Sequence, residues 1–316
     1  MNITLGIISC NRLKYLKSLI ESLKCLKPKD SDLIDNIQVI IVDNASTEEG
    51  LVDYLSSEEK KFIDKLILRK ERDWKNDEYH AKNIIIKEAA HDVIFFLQDD
   101  LSFIGTLEYL KSAYNAFIES DALCMDMCGV RNTTVFRKID YNKQYSFNGF
   151  KYWGTKTDHF QTIGLFKKEV FDECGFYPVG KKFSSWKLKD DETIQQEDYY
   201  SYLVKDKFLK TKKTKNITVL THVPLIITIW NDPRGCYAFV RKDKRYGHYI
   251  EPKDESGLYY KRLDNSKISK LMEYRFPSGF TSVAQPLGWN YSKTTKGEQE
   301  KYDKKNIMEE GPVNDF

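Results

Sequence analysis

The chain has 316 residues, of which 50 are basic and 47 acidic, leaving a net charge of +3. That near balance argues against a dedicated nucleic-acid binder, which carries a clear basic excess. A hydrophobic share of 41% beside 31% charged residues is that of an ordinary globular chain, long enough for one large α/β domain or two smaller ones. No apolar run approaches the ~20 residues that a membrane-spanning helix needs, and the N-terminus shows no signal-peptide pattern, so a cytoplasmic protein is expected (host cytoplasm if viral). The six cysteines, Cys10, Cys25, Cys124, Cys128, Cys174 and Cys236, lack the paired spacing of a zinc ribbon and suit a reducing compartment. Aromatics make up 14%, which fits stacking against sugars or bases and equally fits a Tyr-rich core.

In chain order, Ile3 to Ile8 is a short apolar, β-branched run of the kind found in buried parallel strands. After Ser9-Cys10-Asn11-Arg12, the residues Leu13, Leu16, Leu19, Ile20, Leu23 and Leu26 fall on one helical face, with Pro28 just beyond. Ile37 to Val42 predicts a second strand that closes on Asp43-Asn44-Ala45-Ser46-Thr47, and Lys65 to Arg69 a third. His80 to Ala90 reads as a helix, and Val93 to Leu97 as a fourth strand ending at Gln98-Asp99-Asp100. Strands alternating with helices of this length imply βαβ units and a parallel sheet. Ligands of such sheets bind beyond the carboxyl ends of the strands. Those ends carry Asn11-Arg12, Asp43-Asn44 and Asp99-Asp100.

The middle is less regular. A helix over Leu107 to Ile118 leads to a strand-like Ala122 to Val130, and the Tyr-, Asn- and Gly-rich stretch to Gly154 reads as loops. Gln161 to Phe166 predicts a strand, Lys168 to Cys174 a short helix ended by Gly175, Glu197 to Val204 a helix, and Ile217 to His222 a strand, with Leu225 to Trp230 apolar again. These elements give an expected domain over 1–230 and a C-terminal extension over 231–316, polar from about residue 292. Lysines cluster over Lys205 to Lys215 and basic residues over Arg241 to Arg245; such runs are usually solvated faces, but both could meet an anionic acceptor.

Adjacent carboxylates at a buried strand end repel each other. A divalent cation would relieve that at Asp99 and Asp100, since hard oxygen donors suit Mg²⁺ or Mn²⁺, which bridge diphosphates; capping of the next helix is the simpler alternative. Asp43, Asn44 and Ser46 could read a base and ribose through hydrogen bonds, or could form an Asx turn.

Taken together, Ile8-Ser9-Cys10-Asn11-Arg12, Val42-Asp43-Asn44-Ala45-Ser46-Thr47, Ala81-Lys82-Asn83 and Phe96-Leu97-Gln98-Asp99-Asp100 resemble the nucleotide-binding half of family 2 glycosyltransferases of GT-A fold. The resemblance implies a Rossmann-like, mostly parallel sheet flanked by helices. It further implies metal-dependent transfer of a sugar from a nucleotide-diphosphate sugar, most often a UDP-sugar, with inversion. On the same ground Asp43 would accept from the base, Asn11 and Arg12 would lie near the nucleotide, and Lys82 would stand where the family commonly has arginine. Asp99 and Asp100 would hold Mn²⁺ or Mg²⁺, with Gln98 where many members carry a further aspartate. Gln196-Glu197-Asp198 resembles the motif of the catalytic base, with Asp198 ahead of Glu197, and His222 is the candidate third metal ligand. The acceptor could be a glycan, a protein, a lipid-linked sugar or a modified nucleic acid. Two other readings compete: a non-catalytic carbohydrate-binding or scaffolding relative, and a sugar nucleotidyltransferase, which would need a glycine-rich loop that Ser9-Cys10-Asn11-Arg12 is not.

Overall fold

A computed structural model describes residues 1–27, 36–58, 61–73, 76–127, 139–155, 160, 163–179, 196–211, 213–222, 225–228, 264–266 and 268–269. The first half follows the expected alternation closely. Strands β1 (Asn2–Ser9), β2 (Asn36–Asp43), β3 (Lys65–Leu68) and β4 (Val93–Gln98) are joined in sequence by helices α1 (Leu13–Leu23), α2 (Leu51–Glu58) and α3 (Asp77–Glu88). A 3-10 turn, Lys24–Leu26, extends α1. Beyond β4 lie β5 (Leu101–Phe103), α4 (Leu107–Glu119), β6 (Cys124–Asp126), β7 (Ile139–Phe147), β8 (Phe150–Thr155), β9 (Gly164–Lys167), α5 (Glu169–Cys174), α6 (Gln196–Val204), β10 (Thr218–Thr221) and β11 (Ile226–Thr228).

Among the described residues, nine strands form one sheet in the order β3-β2-β1-β4-β9-β6-β10-β8-β7. Strand β1 pairs in parallel with both β2 and β4. Only β9 and β8 run against the rest, β9 between β4 and β6 and β8 between β10 and β7. The carboxyl ends of β1, β2, β4, β6 and β10 therefore share one edge.

Both faces of the sheet are covered, as expected of strands that are apolar throughout. On β4, Val93, Phe95 and Leu97 join a core with Leu16, Leu19, Leu23 and Phe117, which come from α1 and α4. Ile94 and Phe96 point the other way, into a core with Ala81, Ile85, Phe171 and Tyr200, from α3, α5 and α6. This second core is where many aromatics go: Phe96, Phe160, Phe166 and Phe171 meet edge-on at centroid distances of 5.1–6.2 Å. Gly164 opens β9 at φ +129, and a Cβ there would lie 2.2 Å from the Met125 carbonyl oxygen, so only glycine fits this crossing.

Several elements depart from the sequence expectation, the strand β5 among them. Residues 139–155, read as loops, form the hairpin β7–β8, turned by Asn148 (φ 47) and Gly149 (φ 82). Successive positive φ values at an Asn-Gly pair match the twist of a tight hairpin. Helix α2 was not expected. Of the C-terminal extension, residues 264–266, 268 and 269 are described; Ile268 is buried in the α1–α4 core, and the Thr106 hydroxyl donates to Asn265 at 2.8 Å. Among the described residues, no helix is long and apolar enough to cross a membrane.

Candidate active site

The loops after β1 and β2 are tied to each other where both strands end. Register pairs Ser9 with Asp43, and the Asn44 amide donates to the Ser9 carbonyl at 2.9 Å. The Asn11 amide donates to the Ser46 hydroxyl (2.8 Å), which donates to one Asp43 carboxylate oxygen (2.5 Å), while the Ser46 amide donates to the other (2.8 Å). In return the Asn11 side-chain oxygen accepts from the amides of Thr47 and Glu48 at 2.7 and 3.1 Å. Glu48 also accepts from the Leu13 amide at 2.8 Å, satisfying an N–H at the start of α1 that Arg12 does not cap. Asn11 and Ala45 both sit at φ 50, the left-handed region that asparagine tolerates and alanine resists. Asp43 is thus buried, part of an Asx turn, and held in one orientation. A carboxylate has about four lone-pair sites, so the turn leaves acceptor capacity for a ligand.

Asp99 and Asp100 follow β4 on the same edge, and both are buried, 4% and 7% exposed. The Cys10 amide donates to Asp99 at 2.8 Å. The Arg12 guanidinium reaches both acids, 2.9 Å to Asp99 and 3.1 Å to Asp100, from a single nitrogen, Nη1. Burial pushes the Asp99 carboxyl up to about 6 against the pull of Arg12, and the neighbouring Asp100 adds to the rise. Beyond the pair the chain is fixed at once. Strand β5 pairs antiparallel with β11, and the Ile104 amide donates to the Leu225 carbonyl at 2.7 Å.

The two carboxylates offer hard oxygen donors, and a guanidinium already bridges them, so this place both fits and attracts a cation such as Mg²⁺ or Mn²⁺. Among the described residues, no group of three or more His, Cys, Asp or Glu side chains stands ready to hold a metal. Magnesium-like sites commonly use one or two carboxylates and complete the shell with phosphate oxygens and water.

Asn44, 2% exposed, is held by Arg69, whose Nη1 donates to its side-chain oxygen at 2.7 Å and to Asp77 at 2.8 Å. Asp77 also accepts from Arg72 and from the Asp73 amide, at 3.1 and 2.7 Å. Arg69, Asp77 and Glu48 were not singled out in the sequence, since each acts through a partner rather than through a motif. Lys82 is fully buried in the α3-side core, 2.5 Å from Glu78, with its ammonium 5.4–6.0 Å from the ring centres of Tyr79, Tyr177 and Phe96. One of those rings, Phe96, belongs to β4, the strand that leads to Asp99 and Asp100.

Further along the edge, His222 follows β10 and is 2% exposed. Its Nδ1 accepts from the Trp153 indole N–H at 3.0 Å. An indole nitrogen only donates, so a neutral imidazole here carries its proton on Nε2 and presents a donor there. Asp126, 3% exposed at the end of β6, shares this edge. An acid inside the apolar run Ala122 to Met127 was the signal that could have found it. Glu197 and Asp198 lie in the first turn of α6, and their side chains are outside the described residues. The helix is tied down beyond them: Ser201 Oγ accepts from the Phe160 amide at 3.1 Å, and the Tyr200 hydroxyl donates to Gly175 at 2.6 Å. Of the basic cluster over Lys205 to Lys215, Lys210 pairs with Asp206 and Lys213 with Glu173, so the face carries both signs. Arg241 to Arg245, Trp186, Trp230, His159 and His248 lie outside the described residues.

No curated protein matches the chain at a significant level. Among solved structures, TarS from S. aureus is similar at 11% identity and a TM-score of 0.48, covering 76% of this chain and 38% of that one. The 1–349 form of TarS in complex with UDP-GlcNAc is similar at 12% identity and a TM-score of 0.49, covering 99% and 74%. The mannosyltransferase PcManGT from Pyrobaculum calidifontis, in complex with GDP-Man and Mn²⁺, is similar at 12% identity and a TM-score of 0.47, covering 100% and 76%. This chain therefore spans well under half the length of the longer TarS structure. The sequence pattern of glycosyl transferase family 2 matches residues 4–188, more than half of the chain and the whole of the Asn11, Asp43 and Asp99–Asp100 edge, and the chain belongs to that family.

Proposed function

We propose that the chain transfers a sugar from a nucleotide-diphosphate sugar, a UDP-sugar before others, to an acceptor hydroxyl with inversion. The observation that carries this reading is the meeting, on one strand edge, of a fixed Asp43 with the buried Asp99–Asp100 pair. Asp43, with Asn44 and Ser46 holding its loop, would accept from the base. Asn11 shapes the wall between the two loops, and Arg12 faces the diphosphate. Asp99 and Asp100 would hold Mn²⁺ or Mg²⁺, which when bound neutralises charge on the leaving diphosphate. We assign Asp198, or Glu197 in its place, as the base that takes the acceptor's O–H proton. The acceptor oxygen then bonds to the anomeric carbon, and the carbon–oxygen bond to the diphosphate breaks, its electron pair leaving with the phosphate. His222 is kept outside the metal shell, because Trp153 takes its Nδ1 and a neutral ring then carries its proton on Nε2. Lys82, held by Glu78 on its own helix, is kept as a nucleotide-side cation in this reading.

The test is a panel of nucleotide sugars screened for Mn²⁺-dependent hydrolysis and thermal stabilisation, with Asp100→Ala beside the wild type. One donor hydrolysed with metal by the wild type and spared by the variant supports the transferase and names the sugar. If no nucleotide sugar binds or stabilises the protein, with or without metal, the non-catalytic binding reading replaces it.

A further inference from the structure

The Arg12 side chain does something that family membership does not explain. Its guanidinium stands against both carboxylates of the acid pair, 2.9 Å from Asp99 and 3.1 Å from Asp100, with only 14% of the side chain exposed. A cation that reaches the pair must meet a positive charge already in place. Two like charges cannot share a pair of buried acids without strong repulsion.

We propose that Arg12 is the built-in counter-ion of the acid pair, a positioning residue that competes with the divalent cation and is released to the donor's diphosphate when the two bind together. The proposal rests on the assignment of Asp99 and Asp100 as the metal pair.

Three features support it. First, two adjacent buried carboxylates without positive charge beside them are costly, and Arg12 supplies that charge. Second, Arg12 stands at the amino end of α1, on a backbone fixed by its neighbours. The Asn11 amide is bound to Ser46, the Leu13 amide to Glu48, and the Arg12 carbonyl accepts from Leu16 at 2.9 Å. The guanidinium can therefore change partners by side-chain rotation, without moving the loop. Third, a planar guanidinium binds phosphate through paired N–H donors as well as it binds carboxylate, so its new partner is chemically equivalent to the old one. Metal alone thus binds against a competitor, whereas metal with a diphosphate gives that competitor a place to go. Mutually dependent binding of cation and nucleotide follows.

The experiment measures Mn²⁺ affinity of the metal-free protein by electron paramagnetic resonance, and UDP affinity at saturating Mn²⁺ by calorimetry. Wild type is compared with Arg12→Gln, Arg12→Lys and Asp100→Asn. Arg12→Gln is expected to bind Mn²⁺ alone about tenfold more tightly and UDP about tenfold more weakly, each corresponding to one ion pair of roughly 1.4 kcal/mol. Arg12→Lys should fall between, since it keeps the charge and loses the fork. A side chain that only supports the fold would weaken both affinities, so opposite signs are diagnostic. If Arg12→Gln binds Mn²⁺ no better than wild type, Arg12 is not a competitor and the proposal is wrong. Should that variant not fold, the same criterion applies to Arg12→Lys. If Asp100→Asn binds Mn²⁺ as wild type does, the metal assignment itself fails, and the counter-ion role falls with it.

Discussion

Among the described residues, Lys82 and Arg12 are both withdrawn from water, but differently. Lys82 is in the core between α3 and the sheet, with one acid at hand, Glu78, and three aromatic rings around its ammonium. Arg12 lies at the strand edge, against two acids from another element, with part of its side chain open to solvent. Ring faces attract a cation but cannot be handed to a ligand, whereas carboxylates at an open edge can change partners. The first arrangement holds elements together. The second is suited to exchange.

Replacement of Lys82 puts the contrast under the most strain. Lys82→Ala should cost about 3 kcal/mol in urea unfolding, from a cavity among aromatics and the loss of an ion pair, and Lys82→Met should recover most of it. Folded Lys82→Met also tests the nucleotide role: weaker UDP binding supports it, and unchanged binding assigns the ammonium to the core alone. Next comes Asp77→Ala, which frees Arg69, Arg72 and the Asp73 amide together. A stability loss of about 2 kcal/mol is expected, with weaker nucleotide binding, because Arg69 also holds Asn44.

The edge should also show itself in pH. The Asp99 carboxyl is raised above its ordinary 3.8 to about 6, so the folded metal-free protein holds a proton that the unfolded chain gives up. The stabilisation from that proton is fully present below about pH 4 and is lost as pH rises through about 6. Asp99→Asn should flatten this part of the stability–pH curve by on the order of 1 kcal/mol. Ala45→Gly is the mildest change: relief at φ 50 should stabilise the loop by about 0.5 kcal/mol, read as a small rise in melting temperature.

The sequence made the first half of the fold legible because its strands are unbroken apolar runs and each ends on a polar cluster. The edges of β1, β2 and β4 fall within a residue or two of expectation for that reason. Helix α2 was hidden by its eight-residue length and the acidic turn before it. The β7–β8 hairpin was hidden by Tyr- and Asn-rich composition, although the Asn148-Gly149 pair marked its turn. At the site, Asp43, Asp99 and Asp100 stand out as acids that interrupt apolar runs. The contact from Arg12 to Asp99 spans 87 residues, and nothing local announces it. Lys82 carries two signals at once: motif resemblance points to the nucleotide, and its i,i+4 spacing from Glu78 gives it a partner on its own helix.

The pairing of β4 with β9 has a consequence for how the protein is made. Strand β4 spans Val93–Gln98, and the neighbour that covers its far side, Gly164–Lys167, is synthesised much later. Until it emerges from the ribosome, the growing chain carries an apolar strand with one open edge, the kind of template on which nascent chains aggregate. The strand that presents the acid pair thus stays half-paired until β9 is made, and slow translation between residues 98 and 164 would prolong that exposure.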